Sequence, residues 1–151
     1  MILVRSARYI LRFVALSTFL ACNRSAQQLT EPVIALLPGV LELDGTRLPI
    51  ETPATASVGV PIAITVYTVG GGCTRMGPTT SSVQGLIAVV EPFDSVVTQL
   101  PPNWGCPMDL RGLEHATTVQ FDAAGAATIR FVGRTEPGDT ALVIERSIVI
   151  Q

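Results

Sequence analysis

Short apolar runs separated by turn residues recur along the chain from Val33 onward. In the longest run, 58–69 (VGVPIAITVYTV), isoleucine and valine alternate with smaller or more polar residues. Such alternation places one set of side chains on each face of a β-strand, and an Asp-Gly pair between two runs, as at Asp44-Gly45, is a strong hairpin signal. The pattern predicts strands at 33–37, 40–43, 47–51, 58–69, 83–91, 95–100, 115–121, 127–132 and 141–150.

The spacing of these runs predicts an all-β domain over residues 32–151, with about seven to nine strands. Gly70-Gly71-Gly72 is expected to end the longest strand, and Pro92 is expected to end the strand at 83–91. No segment after the first 22 residues needs a helix to explain its pattern. The pattern is typical of an antiparallel β-sandwich or barrel.

The N-terminal segment has the features of an export signal. Arg5, Arg8 and Arg12 give residues 1–12 a positive charge with no acidic residue, and residues 13–21 (FVALSTFLA) are uncharged and mostly apolar. A membrane-spanning helix needs roughly 20 apolar residues, whereas the hydrophobic region of a secretory signal needs roughly 7–15. We therefore expect residues 1–21 to form a signal peptide, helical in its apolar part.

The end of this segment, Phe19-Leu20-Ala21-Cys22, resembles the bacterial lipobox. Ala21 and Cys22 match the lipobox pattern, while Phe19 and Leu20 differ from its commonest residues. The resemblance implies cleavage before Cys22 and attachment of lipid to its sulfur, which would anchor the chain in a membrane. Residues 22–31 are then expected to be a flexible tether, on the outer membrane or the periplasmic or extracellular face of the cell envelope.

Composition and charge limit the kinds of molecule that the protein is expected to bind. The chain has 48% hydrophobic residues and a mean hydropathy of +0.46, which excludes disorder as its general state. Its pI is about 5.3, and its N-terminal basic cluster lies in the export signal. Nucleic-acid binding would call for a basic surface on the mature domain. We therefore expect a lipid anchor in the membrane and another envelope protein as partner, and no nucleic acid.

The three cysteines fit an oxidising compartment. An odd number in an exported protein needs an explanation, and lipidation of Cys22 leaves Cys73 and Cys106 to form a disulfide. The alternative is a metal site that combines both cysteines with Asp109 and His115. Structural zinc sites usually contain closely spaced cysteine pairs, and this chain has none, so we expect the disulfide and no bound metal or cofactor.

Residues 53–150 resemble the immunoglobulin-like and fibronectin-like domains of exported bacterial proteins, and the whole chain resembles small exported lipoproteins. The similarity rests on Val58–Pro61 before the long strand, Asp122–Gly125 between two strands, and the final strand. It implies an immunoglobulin-like β-sandwich. In antibody domains the cysteine pair joins core strands around a buried Trp. Here Cys73 and Cys106 lie in Gly-rich and Pro-rich loops, so we expect the bridge to join loops at one end.

The segment 101–108 (PPNWGCPM) contains the best candidate for partner binding. Trp104 on a disulfide-tied loop is expected to be the anchor, with Asn103 and Met108 beside it, because Trp is enriched at binding hot spots. The alternative is that Trp104 covers the disulfide and caps the end of the domain.

Catalytic signals are weak in this sequence. His115 is the only histidine, and no Gly-x-Ser-x-Gly motif accompanies it. The sequence therefore favours a non-catalytic, membrane-tethered interaction or structural module of the cell envelope. A small envelope hydrolase or a ligand-binding protein on the same scaffold is the alternative, which a pocket containing Asp109 and His115 would favour.

Overall fold

The computed structural model describes residues 30–151, and all regular secondary structure in this range is β-strand. The predicted signal helix, the lipidation site Cys22 and most of the predicted tether lie outside the described residues. The eleven strands are β1 (Val33–Pro38), β2 (Val40–Leu43), β3 (Thr46–Arg47), β4 (Ile50–Glu51), β5 (Thr55–Ala56), β6 (Ile62–Gly71), β7 (Thr74–Gln84), β8 (Ile87–Gln99), β9 (Leu110–Val119), β10 (Gly125–Glu136) and β11 (Ala141–Ile150).

The strands form two sheets. The larger sheet has the order β1-β8-β10-β11-β5, with β7 beside β8 and with β2 joining β3 to β10; the smaller sheet has the order β4-β6-β9. The all-β prediction is confirmed, but the expectation of purely antiparallel pairing needs correction, because β8–β10, β2–β10 and β5–β11 are parallel. After β8 the chain enters the smaller sheet as β9 and returns as β10, and such a crossover permits a parallel neighbour.

The two sheets share one hydrophobic core. On β6 the side chains of Ile62, Ile64 and Val66 are at most 4% exposed and alternate with more exposed neighbours, as the period of two predicts. The inward residues of the other strands, together with Phe121 in the loop after β9, complete the core. They are Leu41, Ala88, Val90, Val119, Phe121, Ala127, Ile129, Phe131, Ile144, Ile148 and Ile150.

Strand β6 ends within Gly70-Gly71-Gly72, as expected, but two features of the following strands were not predicted. The chain resumes as β7 directly after Cys73, although the sequence of β7 (TRMGPTTSSVQ) has no apolar alternation. Strand β8 continues through Pro92 instead of ending there. Proline lacks an N–H group, but the Pro92 carbonyl accepts a hydrogen bond from the Gly39 N–H at 2.8 Å, and β7 shifts register between Met76 and Thr79 opposite this point. Pairing with β8 therefore accounts for both departures.

Candidate functional site

Three polar side chains continue the buried rows of the core toward one end of the domain. Thr68 follows the apolar row of β6, Asp94 follows that of β8, and His115 lies on β9. Their exposed fractions are 0%, 1% and 1%, so all three are removed from water. Buried polar groups cost stability unless they form hydrogen bonds. We call these three residues together with Thr79 of β7 the polar cluster.

The polar cluster is joined through the imidazole of His115. Its Nε2 lies 3.0 Å from Asp94 Oδ1 and 3.1 Å from Thr68 Oγ1, and its Nδ1 lies 3.2 Å from Thr79 Oγ1. The Thr68 hydroxyl donates to the same Asp94 oxygen at 3.1 Å. With a hydrogen on Nε2, the imidazole donates to Asp94 and can accept from the Thr79 hydroxyl at Nδ1. The second carboxylate oxygen, Asp94 Oδ2, has no hydrogen-bond partner among the described residues.

The chain covers this cluster at Gly39, between β1 and β2. A Cβ atom at Gly39 would overlap the Thr68 methyl group and would lie 3.3 Å from Asp94 Oδ2. Only glycine allows the backbone to approach this closely. The close approach at Gly39 lets the chain change partners, from the pairing of β1 with β8 to the pairing of β2 with β10. The same backbone segment covers the polar cluster and separates it from solvent.

The polar cluster connects the two sheets through hydrogen bonds. Thr68 and His115 belong to the smaller sheet, whereas Thr79 and Asp94 belong to the larger one. The order Thr79–His115–Asp94 has the connectivity of a hydroxyl, base and acid, and the imidazole at its centre is 1% exposed. The arrangement therefore fastens the two sheets.

Asp109 does not lie with His115 in a common site, as the metal-site and hydrolase alternatives would require. It lies on the surface, where its Oδ2 accepts a hydrogen bond from Arg111 Nε at 2.7 Å. This hydrogen bond is the main reason that the pKa of the Asp109 carboxyl lies below its ordinary value. The acidic partner of His115 is Asp94, which is 21 positions away and on another strand.

The predicted disulfide between Cys73 and Cys106 is present, with 5.2 Å between the Cα atoms. It joins the turn between β6 and β7 to the segment 100–109 between β8 and β9, so it links loops as expected. Because the two sulfur atoms are bonded to each other, they are not free thiolates that could bind a metal. The alternative of a metal site that combines both cysteines was therefore wrong. Within residues 30–151, no group of three or more His, Cys, Asp or Glu side chains is placed to hold a metal ion.

The segment 100–109 packs closely against the β6–β7 turn. A Cβ atom at Gly72 would overlap the Pro107 carbonyl and approach the Asp109 carboxylate. The register of β6 with β9 ends at Gly71 opposite Leu110, directly beside this contact. The disulfide therefore reinforces the end of an existing strand pair.

A groove of about 220 Å³ lies beside the disulfide on the outer face of β8. Trp104 forms one wall and is 59% exposed, whereas Ile34 of β1 is 60% exposed. We call this feature the Trp104 groove. Its lining residues are Pro32, Ile34, Cys73, Arg75, Ser95, Val97, Leu100 and Trp104.

Of the three predicted partner-binding residues, only Trp104 lines the groove. Asn103 is exposed and has a φ of 70°, which forms a turn just before Trp104, and Met108 is fully exposed. Ile34 and Arg75 also line the groove, although the sequence did not predict either of them. Strand pairing brings them together, since Ile34 lies opposite Val97 and Arg75 lies opposite Ser95. No local sequence signal marks such residues as neighbours.

No protein-family model, curated protein or solved structure matches this chain. Within the part of the chain that the structure describes, no helix is long and apolar enough to cross a membrane.

Proposed function

We propose that this protein is a non-catalytic binding module tethered to a membrane of the cell envelope, and that the Trp104 groove is its contact surface. The observation that carries the proposal is the groove itself, in which Trp104 stands half-exposed beside apolar side chains. Binding sites are typically concave and mostly apolar, with a few polar groups that orient the bound molecule. Trp is also one of the residues enriched at binding hot spots.

The surface around the groove supports this proposal. Leu36 is 55% exposed and lies opposite Ser95, so it extends the apolar face that Ile34 begins. Contiguous exposed apolar surface usually marks an interaction site. The disulfide at Cys73 gives the wall that contains Trp104 a fixed position, which lowers the entropy lost on binding.

The proposal includes export, a lipid anchor at Cys22 and an immunoglobulin-like β-sandwich as the domain that carries the groove. Export and anchoring are supported by the short apolar segment after three arginines and by the likeness of residues 19–22 to a lipobox. The sandwich is supported by two sheets around one shared core. The buried position of His115 gives no support to the hydrolase alternative.

Photo-cross-linking in living cells tests the contact surface. A chain with p-benzoylphenylalanine in place of Ile34, at the rim of the groove, is expected to give a covalent adduct after irradiation. The matched control carries the same residue in place of Val149, which is 51% exposed but lies on β11 beside β5. Mass spectrometry of the adduct identifies the bound molecule. Equal adducts at both positions, or none at position 34, would contradict the proposed contact surface.

Cell fractionation tests the anchor. Cys22→Ser removes the sulfur that would carry the lipid, so the protein is expected to move from the membrane fraction to the soluble periplasm or the medium. Metabolic labelling with a fatty-acid probe should mark the parent chain and not the variant. Unchanged membrane partition of Cys22→Ser would show that the lipid anchor is not what holds the protein.

A further inference from the structure

Arg75 presents unused hydrogen-bond donors at the Trp104 groove. Its Nη1 atom donates to the carbonyls of Gly72 at 2.8 Å and Thr74 at 2.9 Å, which fixes the position of the guanidinium. Within residues 30–151, no carboxylate lies within ion-pairing distance of Arg75, and its Nε and Nη2 atoms have no protein acceptor. These two atoms form the edge of the guanidinium that binds a carboxylate with two parallel hydrogen bonds.

The nearby acid Asp109 does not neutralise this edge. Its carboxylate already binds Arg111 at 2.7 Å, and that hydrogen bond is the largest cause of its lowered pKa. The charge of Arg75 lowers the same pKa to a smaller degree. Arg75 therefore contributes an uncompensated positive charge beside the groove.

The rest of the groove has few hydrogen-bonding side chains for a polar ligand. Apart from Arg75, its side chains offer only the Ser95 hydroxyl and the Trp104 indole N–H, because Cys73 is in the disulfide. A bound peptide would bring an N–H and a carbonyl at nearly every residue, and these groups need partners when they leave water. A hydrocarbon chain has no such requirement. The lining therefore matches an alkyl chain better than a peptide.

We propose that the Trp104 groove binds a single-chain amphiphile with one carboxylate, with the alkyl chain along Trp104 and Val97 and the carboxylate on Arg75. This inference rests on the proposed function and names the class of molecule bound at the same site. The charge selects an anionic head group, and the paired Nε and Nη2 donors select a planar carboxylate. The apolar walls select the chain.

Trp104 is the only tryptophan of the protein and reports directly on this groove. The full chain is reconstituted in phospholipid nanodiscs and titrated with 9,10-dibromostearate, whose bromine atoms quench tryptophan fluorescence on contact. We expect saturable quenching. The methyl ester of the same acid lacks the charge and is expected to bind about tenfold more weakly, as for the loss of a charge-assisted hydrogen bond.

Variants of Arg75 separate the head group from the chain. Arg75→Met keeps an apolar side chain of similar length and is expected to bind acid and ester equally. Arg75→Lys keeps the charge without the paired donors and is expected to bind with intermediate affinity. Arg130→Met is the control, because Arg130 pairs with Glu145 on β11 and does not line the groove. It should bind as the parent chain does. Far-UV circular dichroism verifies that every variant is folded.

Several results would overturn the inference. Equal affinity of the parent chain for the acid and the ester would show that Arg75 does not bind the carboxylate. Quenching that never saturates, or that brominated phospholipid in the nanodisc reproduces, would show membrane proximity instead of binding. An Ile34 cross-link to a protein, with no quenching by the acid, would refute the amphiphile and leave the binding function standing. Absence of both signals would refute both.

Discussion

Replacing His115 with leucine is expected to lower the free energy of unfolding by about 3–5 kcal/mol, because it removes a large buried side chain and a hydrogen-bond partner of the buried Asp94 carboxyl. Asp94 is 1% exposed, and His115 Nε2 is 3.0 Å from its Oδ1 atom. Without the imidazole, Asp94 keeps only the hydrogen bond from Thr68, and its Oδ2 atom already lacks a partner. The loss is large for a domain whose whole stability is about 5–15 kcal/mol.

A double-mutant cycle distinguishes the lost interaction from damage to the core. His115→Leu combined with Asp94→Leu removes both polar partners, and it is expected to be clearly more stable than His115→Leu alone. Thr79→Val removes the hydroxyl that contacts His115 Nδ1 and should cost about 1 kcal/mol. Urea unfolding followed by far-UV circular dichroism measures all of these variants. Additive losses in the double variant would show that His115 and Asp94 do not stabilise each other.

The sequence was sufficient for the parts of the fold that have a local pattern. Strand β6 was predicted because Ile62, Ile64 and Val66 alternate with less apolar neighbours, and all three lie in the core. Strand β11 was predicted over its full length, 141–150. In both strands one face is buried and the other is more exposed, and the sequence records this difference directly.

Features that depend on pairing between distant segments were missed. Strand β7 has no apolar alternation and is held by hydrogen bonds to β8, while Pro92 lies inside β8 because β7 shifts register opposite it. Asp109 was the acid named beside His115 in the alternative sites, whereas the carboxylate that contacts His115 is Asp94 of β8. The groove was missed for the same reason, since Ile34 reaches it through the pairing of β1 with β8.

Strand β8 connects the two sites described above. Its residue Asp94 points into the core and holds the polar cluster, whereas Ser95 and Val97 point outward and line the Trp104 groove. Alternate residues of a strand face opposite sides of the sheet, so the polar cluster lies on the inner side of β8, directly behind the groove. Thr68 and His115 thus help to fix the strand on which the groove is built.

Removing the disulfide is expected to have the second largest effect, a loss of about 2–4 kcal/mol in the Cys73→Ala, Cys106→Ala double variant. The two cysteines are 33 positions apart, and the bond restricts this loop in the unfolded chain. The fold should persist at low temperature, because β6 and β9 remain paired from Ile62–Val119 to Gly71–Leu110. Each kcal/mol lost should lower the melting temperature by several degrees.

The local effect should be greatest at the Trp104 groove, because the segment 100–109 contains no strand or helix of its own and the disulfide fixes it to the β6–β7 turn. We expect the Trp104 emission to change in the double variant and the affinity for dibromostearate to fall. The reduced parent chain is the matched control, and it should melt and fluoresce like the variant. Peptide mapping under non-reducing conditions tests the bond directly. Two free thiols in protein recovered from cells, or an unchanged melting temperature after reduction, would show that the disulfide does not stabilise this domain.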